Sequence, residues 1–238
     1  VSLDQLAHAF LFCGPRGTGK TSTARIMAKA VNCLNPTDGE PDDACERCQS
    51  ISGEQSLDVI EIDGATNNGV EDIRNLREKV AYTPQQGKYK IYIIDEVHML
   101  TTAAFNALLK TLEEPPDHVK FIFCTTDPEK IPITVLSRCQ RFDFRRISLD
   151  MMIQKLTTLC REENIEASLD ALGLISRNAK GSLRDAENLL EQIFVSYGSP
   201  IDEGLRSSSL PHQPSSTVPI GIQIEAPQSE TPYENSWI

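Results

Sequence analysis

Apolar and polar positions along the chain follow two periods. Residues 8–13, His-Ala-Phe-Leu-Phe-Cys, form a short apolar run that stops at Gly14, the pattern of a buried strand. Ala24, Ile26, Met27, Ala28 and Ala30 follow with no internal breaker and predict a helix over 21–31. Residues 33–50 are rich in Asp, Glu, Pro and Cys and predict an insertion with little helix of its own. Residues 57–62 alternate apolar and acidic side chains and read as a second strand. Val70, Ile73, Leu76 and Val80 recur at helical spacing over 70–80. A third strand over 90–94 ends at Asp95-Glu96. Ala104, Leu108 and Leu112 share one face of a helix over 101–112, which Pro115-Pro116 ends. Residues 119–124 and 141–144 read as a fourth and a fifth strand.

Largely apolar strands that alternate with helices are the pattern of a parallel sheet covered on both faces, an α/β fold. Beyond Ser148 the pattern is helical only, over 149–163, 168–179 and 182–197. The chain is therefore expected to hold a sheet domain over 1–147 and a small helical domain over 148–200. Residues 201–238 hold many Ser and Pro, few large apolar side chains and no period. They read either as a disordered tail or as foreign sequence from a frameshift or fusion scar.

Composition adds exclusions. The chain has 238 residues, 39% hydrophobic and 24% charged, as an ordinary soluble protein has. No apolar run reaches the roughly 18 residues of a membrane span. The net charge of −11 argues against bulk non-specific DNA binding and leaves room for a local basic channel. The N-terminus, Val1-Ser2-Leu3-Asp4-Gln5, lacks the features of a signal peptide, and the absence of Met suggests a start further upstream. Seven Cys, an odd number, without a signal peptide point to a reducing cytoplasm. Cys13, Cys124 and Cys160 read as small buried hydrophobes, while Cys33, Cys45 and Cys48 cluster and raise the question of a metal.

The candidate chemistry begins with Gly14-Pro15-Arg16-Gly17-Thr18-Gly19-Lys20-Thr21, followed by Ser22. This fits G-x-x-x-x-G-K-[ST] between a strand and a helix, where backbone N–H groups and a helix N-terminus can cradle phosphates. Lys20 is placed to reach the β- and γ-phosphates and Thr21 to offer its hydroxyl to Mg²⁺. An apolar strand ending in Asp95-Glu96 supplies an Mg²⁺ ligand in Asp95 and a general base for water in Glu96. The plainer reading of Asp95 is a helix N-cap. Phe121-Ile-Phe-Cys-Thr125-Thr126 brings hydroxyls to the same rim, where Thr126 can meet phosphate or water or simply cap the next turn.

With these motifs, the segments Asp95-Glu-Val-His98-Met-Leu100, Leu109-Lys-Thr-Leu-Glu-Glu-Pro-Pro116 and Leu136-Ser137-Arg138-Cys139-Gln-Arg-Phe142 resemble the AAA+ clamp-loader ATPases. Among these the chain is similar to the gamma/tau family of bacterial DNA polymerase III, over residues 6–200. The resemblance implies a P-loop AAA+ sheet with a zinc-module insertion, followed by a three-helix lid. It implies an ATP hydrolase that loads the sliding clamp on primed DNA within the polymerase III holoenzyme. Its partners would be the other clamp-loader subunits in a ring, the clamp and primer–template DNA, with no membrane. Thr126 takes the sensor 1 place. Arg138, in Ser137-Arg138-Cys139, would act on ATP held by a neighbouring subunit; spacing alone gives a surface Arg. Arg184, in Gly181-Ser-Leu-Arg184-Asp185, would be the sensor 2 residue on its own γ-phosphate; without the resemblance it reads as an ion pair with Asp185 or Glu187.

The family's zinc module uses four Cys. Cys33, Cys45 and Cys48 match three of them, and Asp42 stands near where the fourth would fall. A carboxylate ligates zinc, so a Cys₃Asp site is expected; a redox pair is the other reading of Cys45-Glu-Arg-Cys48. The implied cofactors are thus ATP, Mg²⁺ and Zn²⁺. The family also carries a segment ahead of Leu6 and a collar domain after residue 200. Neither is matched here, so the chain reads as an internal fragment. Three rivals remain at this point: a non-hydrolysing clamp-loader-like binding subunit, another AAA+ motor such as a branch-migration motor, and an inactive truncated product.

Overall fold

The computed structural model describes residues 6–198 and 200–201. The expectations for 202–238, and for residues 1–5, lie outside the described residues. Five strands form one wholly parallel sheet: β1 (Ala9–Cys13), β2 (Val59–Asp63), β3 (Lys90–Asp95), β4 (Val119–Thr125) and β5 (Gln140–Asp143), in the order β2-β3-β4-β1-β5. The apolar runs make the central strands: every residue of β1 and β4 is buried. The edge strands differ. β2 carries alternating acids, and all four residues of β5 are exposed, as edge positions require.

Helices cover both faces. On one side α1 (Lys20–Asn32) sets Ala24, Ala28 and Val31 against Phe10, Phe12, Ile91, Ile93 and Ile122. On the other, α3 (Val70–Val80) and α4 (Thr102–Glu113) pack Ile73, Leu76, Leu108 and Leu112 on Tyr92, Ile94, Phe121 and Phe123. Tyr92, Phe121 and Phe123 stack in sequence across β3 and β4. The four-residue helix α5 (Ile133–Leu136) leads into β5.

The segment 33–50 joins α1 to β2 and is not clearly an insertion; it holds little helix, as expected, until its last five residues, where α2 (Glu46–Ser52) begins. The helix is short and its only buried side chains are Cys48 and Ile51, too few to leave a periodic signal.

Past the sheet, α6 (Leu149–Glu162), α7 (Leu169–Asn178) and α8 (Leu183–Tyr197) enclose their own core of Met152, Leu156, Leu172, Ile175, Leu190 and Ile193. Each starts at a serine: Ser148, Ser168 and Ser182 accept hydrogen bonds from the N–H groups of Met151, Ala171 and Asp185. Such caps contribute about 1 kcal/mol apiece. Ile201 is buried in this core and bridges to Ala167, so the helical unit includes it. No helix among the described residues is long and apolar enough to cross a membrane.

The connection from α3 to β3 is pinned by two buried side chains. Asp58 accepts the N–H groups of Gln85, Gln86 and Gly87 at 2.8, 2.7 and 2.6 Å. Asn32, at the end of α1, exchanges two hydrogen bonds with the Tyr89 backbone. Burial alone would push the Asp58 carboxyl up; the three N–H groups and Lys90 outweigh it and hold it below the ordinary 3.8. A depressed carboxyl contributes stability that is complete above its unfolded value and is lost as pH falls through the folded one. Asp58→Asn should therefore lower the unfolding free energy at neutral pH by about 1–3 kcal/mol. It should also flatten the acid limb of stability below the ordinary carboxylate range. Urea unfolding across that range checks both effects, and unchanged neutral stability would contradict the pinning role.

Candidate nucleotide site

The loop between β1 and α1 carries the phosphate-binding spacing, and its backbone shape depends on glycine. Gly17 and Gly19 adopt φ of +70° and +88°, a region costly for residues with a Cβ. At Gly17 a Cβ would also lie 2.0 Å from the Ser182 hydroxyl, because the start of α8 rests directly on the loop. The Leu183 N–H donates to the Gly17 carbonyl at 2.9 Å, tying the two together. Lys20 is buried, and its ammonium donates to the carbonyls of Gly14 and Pro15 at 3.0 and 2.9 Å. Thr18 closes the turn with a hydrogen bond to the Pro15 carbonyl. Arg16, Gly19 and Ser22 are exposed at the mouth.

The acidic strand meets this loop. The Thr21 hydroxyl donates to Asp95 Oδ2 at 2.6 Å, and Asp95 Oδ1 accepts the N–H of Glu96 at 2.8 Å. Asp95 thus sits at the end of β3 facing Thr21 and does not cap a helix. Glu96 takes φ +44°, a left-handed conformation unusual for a non-glycine residue and one found often at functional sites. Its Oε2 accepts from the Thr126 hydroxyl at 3.2 Å and lies 3.4 Å from His98 Nδ1. Thr126 is exposed just beyond β4; it is Thr125, fully buried, that caps the next turn by accepting the Asp127 N–H.

Lys20, Thr21, Asp95, Glu96 and Arg184 line one cavity of about 400 Å³, with Glu187 on α8 facing them. Among the described residues Arg184 forms no ion pair, with Asp185 or with Glu187, so its guanidinium is uncommitted at the cavity wall. Positive charge from Lys20, Arg16 and Arg184 surrounds a space whose floor carries the two acids. That arrangement suits a polyanion bound together with a divalent cation.

Arg138 lies apart from this cluster. It precedes β5, whose first residue, Gln140, pairs with Phe10 near the start of β1. Because β1 and β5 are parallel, Arg138 is at the end of the sheet opposite the phosphate loop of its own chain. Its guanidinium is exposed, with Glu113 at 2.7 Å and the Thr134 carbonyl at 2.6 Å as partners.

A second cluster sits at the far end of α1. Cys33 follows the helix, Asp42 lies in the following turn, Cys45 caps α2 and Cys48 is in its first turn. One ligand atom from each lies within 4.8 Å of all the others. Cys33 Sγ and Cys45 Sγ are 3.9 Å apart, against the ~3.8 Å that two thiolates span on a tetrahedral zinc with 2.3 Å bonds. Asp42 is oriented by the N–H groups of Ala44 and Cys45 and by Asn35. The Cys45 N–H first, then side chains of the cluster, keep its carboxyl well below the usual range, so it is charged as a ligand must be. Burial pushes the Cys48 thiol up. Three soft sulfurs and one carboxylate in a compact group fit zinc. Cys13, Cys124 and Cys160 are buried, and burial raises each thiol.

Sequence reasoning gave no role to His98, Thr125, Ser182 or Leu183. His98 is in a quoted motif, but its contact with Thr125 joins two strands and has no local signature. The Leu183–Gly17 bond is between backbone atoms and leaves no trace in side-chain type.

Comparison with known proteins agrees with this geometry. Residues 1–148 match the family described as DNA polymerase III, delta subunit, and residues 152–199 the DNA polymerase III clamp loader subunit, ATPase lid domain. The tau subunit of DNA polymerase III from Bacillus subtilis (strain 168) is 52% identical over 194 residues, 82% of this chain and 34% of that protein. The tau subunit from Escherichia coli (strain K12) is 47% identical over 196 residues, 82% of this chain and 30% of the relative. The chain thus spans about a third of the length of these curated relatives. Among solved structures, a DNA polymerase III gamma subunit-related protein from Thermotoga maritima aligns with TM-score 0.52 at 22% identity, covering 81% of this chain and 59% of the other. The RuvB Holliday junction branch migration motor of Thermotoga maritima aligns with TM-score 0.58 at 15% identity, covering 86% and 59%. At these identities the likeness is one of fold.

Proposed function

The chain belongs to the DNA polymerase III clamp-loader subunit family, and from that membership we propose that it is the ATPase module of a cytoplasmic bacterial clamp loader. The observation that carries the reading is the convergence of Lys20, Thr21, Asp95, Glu96 and Arg184 on one cavity. A binding subunit that had given up hydrolysis would not need all five. In the full complex, ATP binding would let a ring of subunits open the sliding clamp and grip primer–template DNA, and hydrolysis would release the closed clamp.

In this reading Gly14, Pro15, Arg16, Gly17, Thr18, Gly19 and Ser22 shape the phosphate cradle. Lys20 turns its ammonium from the loop carbonyls to the β- and γ-phosphates. Thr21 and Asp95 would hold Mg²⁺, which would supply positive charge against the phosphates. Glu96 takes the proton of the attacking water as its oxygen bonds to the γ-phosphorus and the bond to the β–γ bridging oxygen breaks. Thr126 holds that water or the γ-phosphate. Arg184 contacts the γ-phosphate of its own chain from the lid. Arg138 lies at the end of the sheet opposite this site, which supports a role on nucleotide bound by a neighbouring subunit. There its fork would stabilise charge on the phosphoryl group in flight.

Cys33, Asp42, Cys45 and Cys48 are proposed to hold one zinc ion, with structural purpose: a closed four-ligand set leaves no open position for a reactant. The site would fasten α2 to the end of α1. Purified without chelator, the chain should carry about one zinc per molecule, and Cys45→Ser with Cys48→Ser should abolish it. Elemental analysis of both proteins decides the matter; equal metal in both would contradict it.

The ATPase reading is tested by mixing. In the assembled complex, Lys20→Ala and Arg138→Ala chains should each lose hydrolysis, the latter by about 10³–10⁵-fold as arginine fingers do. Rings that contain both variants should recover activity, because an intact Arg138 then faces an intact phosphate loop. A mixture no more active than its parents would contradict action between subunits.

A further inference from the structure

His98 lies beside the acids yet has no part in the chemistry above. Its side chain is only 10% exposed, and its Nδ1 stands between two oxygens: Thr125 Oγ1 at 3.1 Å and Glu96 Oε2 at 3.4 Å. We propose that His98 is a positioning residue that fixes the Glu96 carboxylate for proton abstraction, with its Nδ1–H shared between Glu96 Oε2 and the buried hydroxyl of Thr125. The proposal rests on the reading of Glu96 as the base.

The Thr125 contact fits either tautomer of the ring, but a bare Nδ1 lone pair turned toward a carboxylate oxygen at this distance would be repelled by it, and on that ground we assign the hydrogen to Nδ1. The Thr125 oxygen has the capacity to take it. Thr125 is fully buried and accepts the Asp127 N–H with one lone pair, which leaves the second for His98. Glu96 Oε2 accepts from the Thr126 hydroxyl and lies 3.4 Å from His98 Nδ1, the nearest ring atom from which a second hydrogen can be directed at it. Oε1 has no partner among the described residues and is left for the proton of a water molecule.

The backbone supports the same division. Glu96 holds a left-handed φ of +44°, which a carboxylate-bearing residue adopts at a cost unless its surroundings fix it. Its N–H is bound by Asp95 Oδ1, its carbonyl accepts the Met99 N–H, and the short turn Val97–Met99 returns His98 over its own carboxylate. The ring thereby links the end of β3, which carries Glu96, to the end of β4, which carries Thr125 and Thr126. A base held in turn by a third group is the general design of an activated catalytic pair.

The test uses the full chain in its assembled complex, with ATP hydrolysis and the affinity for a fluorescent ATP analogue with Mg²⁺ measured separately. His98→Ala should lower kcat by about 10–100-fold, part of the 10²–10⁴-fold that a general base contributes, and leave KM and analogue affinity in place. His98→Asn, whose amide can donate from near the Nδ1 position, should recover most of the loss. In a Glu96→Gln background, His98→Ala should cost nothing further. The positioning role is overturned by any of three results: a fall in affinity matching the fall in kcat, no recovery with Asn, or an undiminished effect in the Glu96→Gln background. Should the variants fold poorly, nitrogen-15 NMR of the unaltered protein decides: the Nδ1–H tautomer of His98 is expected, and the Nε2–H tautomer overturns the proposal. Full hydrolysis by Glu96→Gln would reject the ATPase reading of Glu96 itself. Loss with Glu96→Gln and none with His98→Ala would reject the positioning role alone.

Discussion

The hydrogen bond from Thr21 to Asp95 joins the two halves of the site, and the parallel register of the sheet makes it possible. Thr21 begins the helix after β1; Asp95 ends β3; β4 lies between those strands. Because every strand runs the same way, the C-terminal ends of β1, β3 and β4 open on one rim. The phosphate loop, both acids and the Thr125-Thr126 hydroxyls must then be neighbours, although the chain separates them widely. Reversing any central strand would carry its polar end to the other edge and dismantle the cluster. The apolar content of β1, β3 and β4, buried between α1 on one face and α3 and α4 on the other, is what enforces that register.

Much of this could be read from residue order alone. The strands and long helices carry clear periods, and the α/β class with a P-loop follows from them together with the glycine spacing. Asp95 and Glu96 could be singled out because an apolar run ended in them. What escaped was of two kinds. Helix α2 is short and buries only Cys48 and Ile51, so its pattern is below what periodicity resolves, while its cysteines suggested a loop. The contacts His98–Thr125 and Leu183–Gly17 arise only when separate elements pack, and the second involves no side chain. The placement of Arg138 at the opposite end of the sheet also depends on pairing between β1 and β5, which no local pattern encodes.

The helical unit is fastened directly to the loop. Ser182 caps α8 and leaves no room for a side chain at Gly17, while Leu183 bonds to the Gly17 carbonyl and Arg184 projects into the cavity. Three successive residues therefore tie the start of α8 to the loop and its cavity. The buried face of α8, with Leu189, Leu190 and Ile193, packs in turn into the three-helix core.

Titration of the purified chain with a fluorescent ATP analogue and Mg²⁺, beside its Lys20→Ala variant, tests whether the rim is a nucleotide site. Saturable, Mg²⁺-dependent binding is expected, abolished in Lys20→Ala while its fold is retained. Equal binding by the two proteins, or none by the folded unaltered chain, would contradict the assignment of the rim as a nucleotide site.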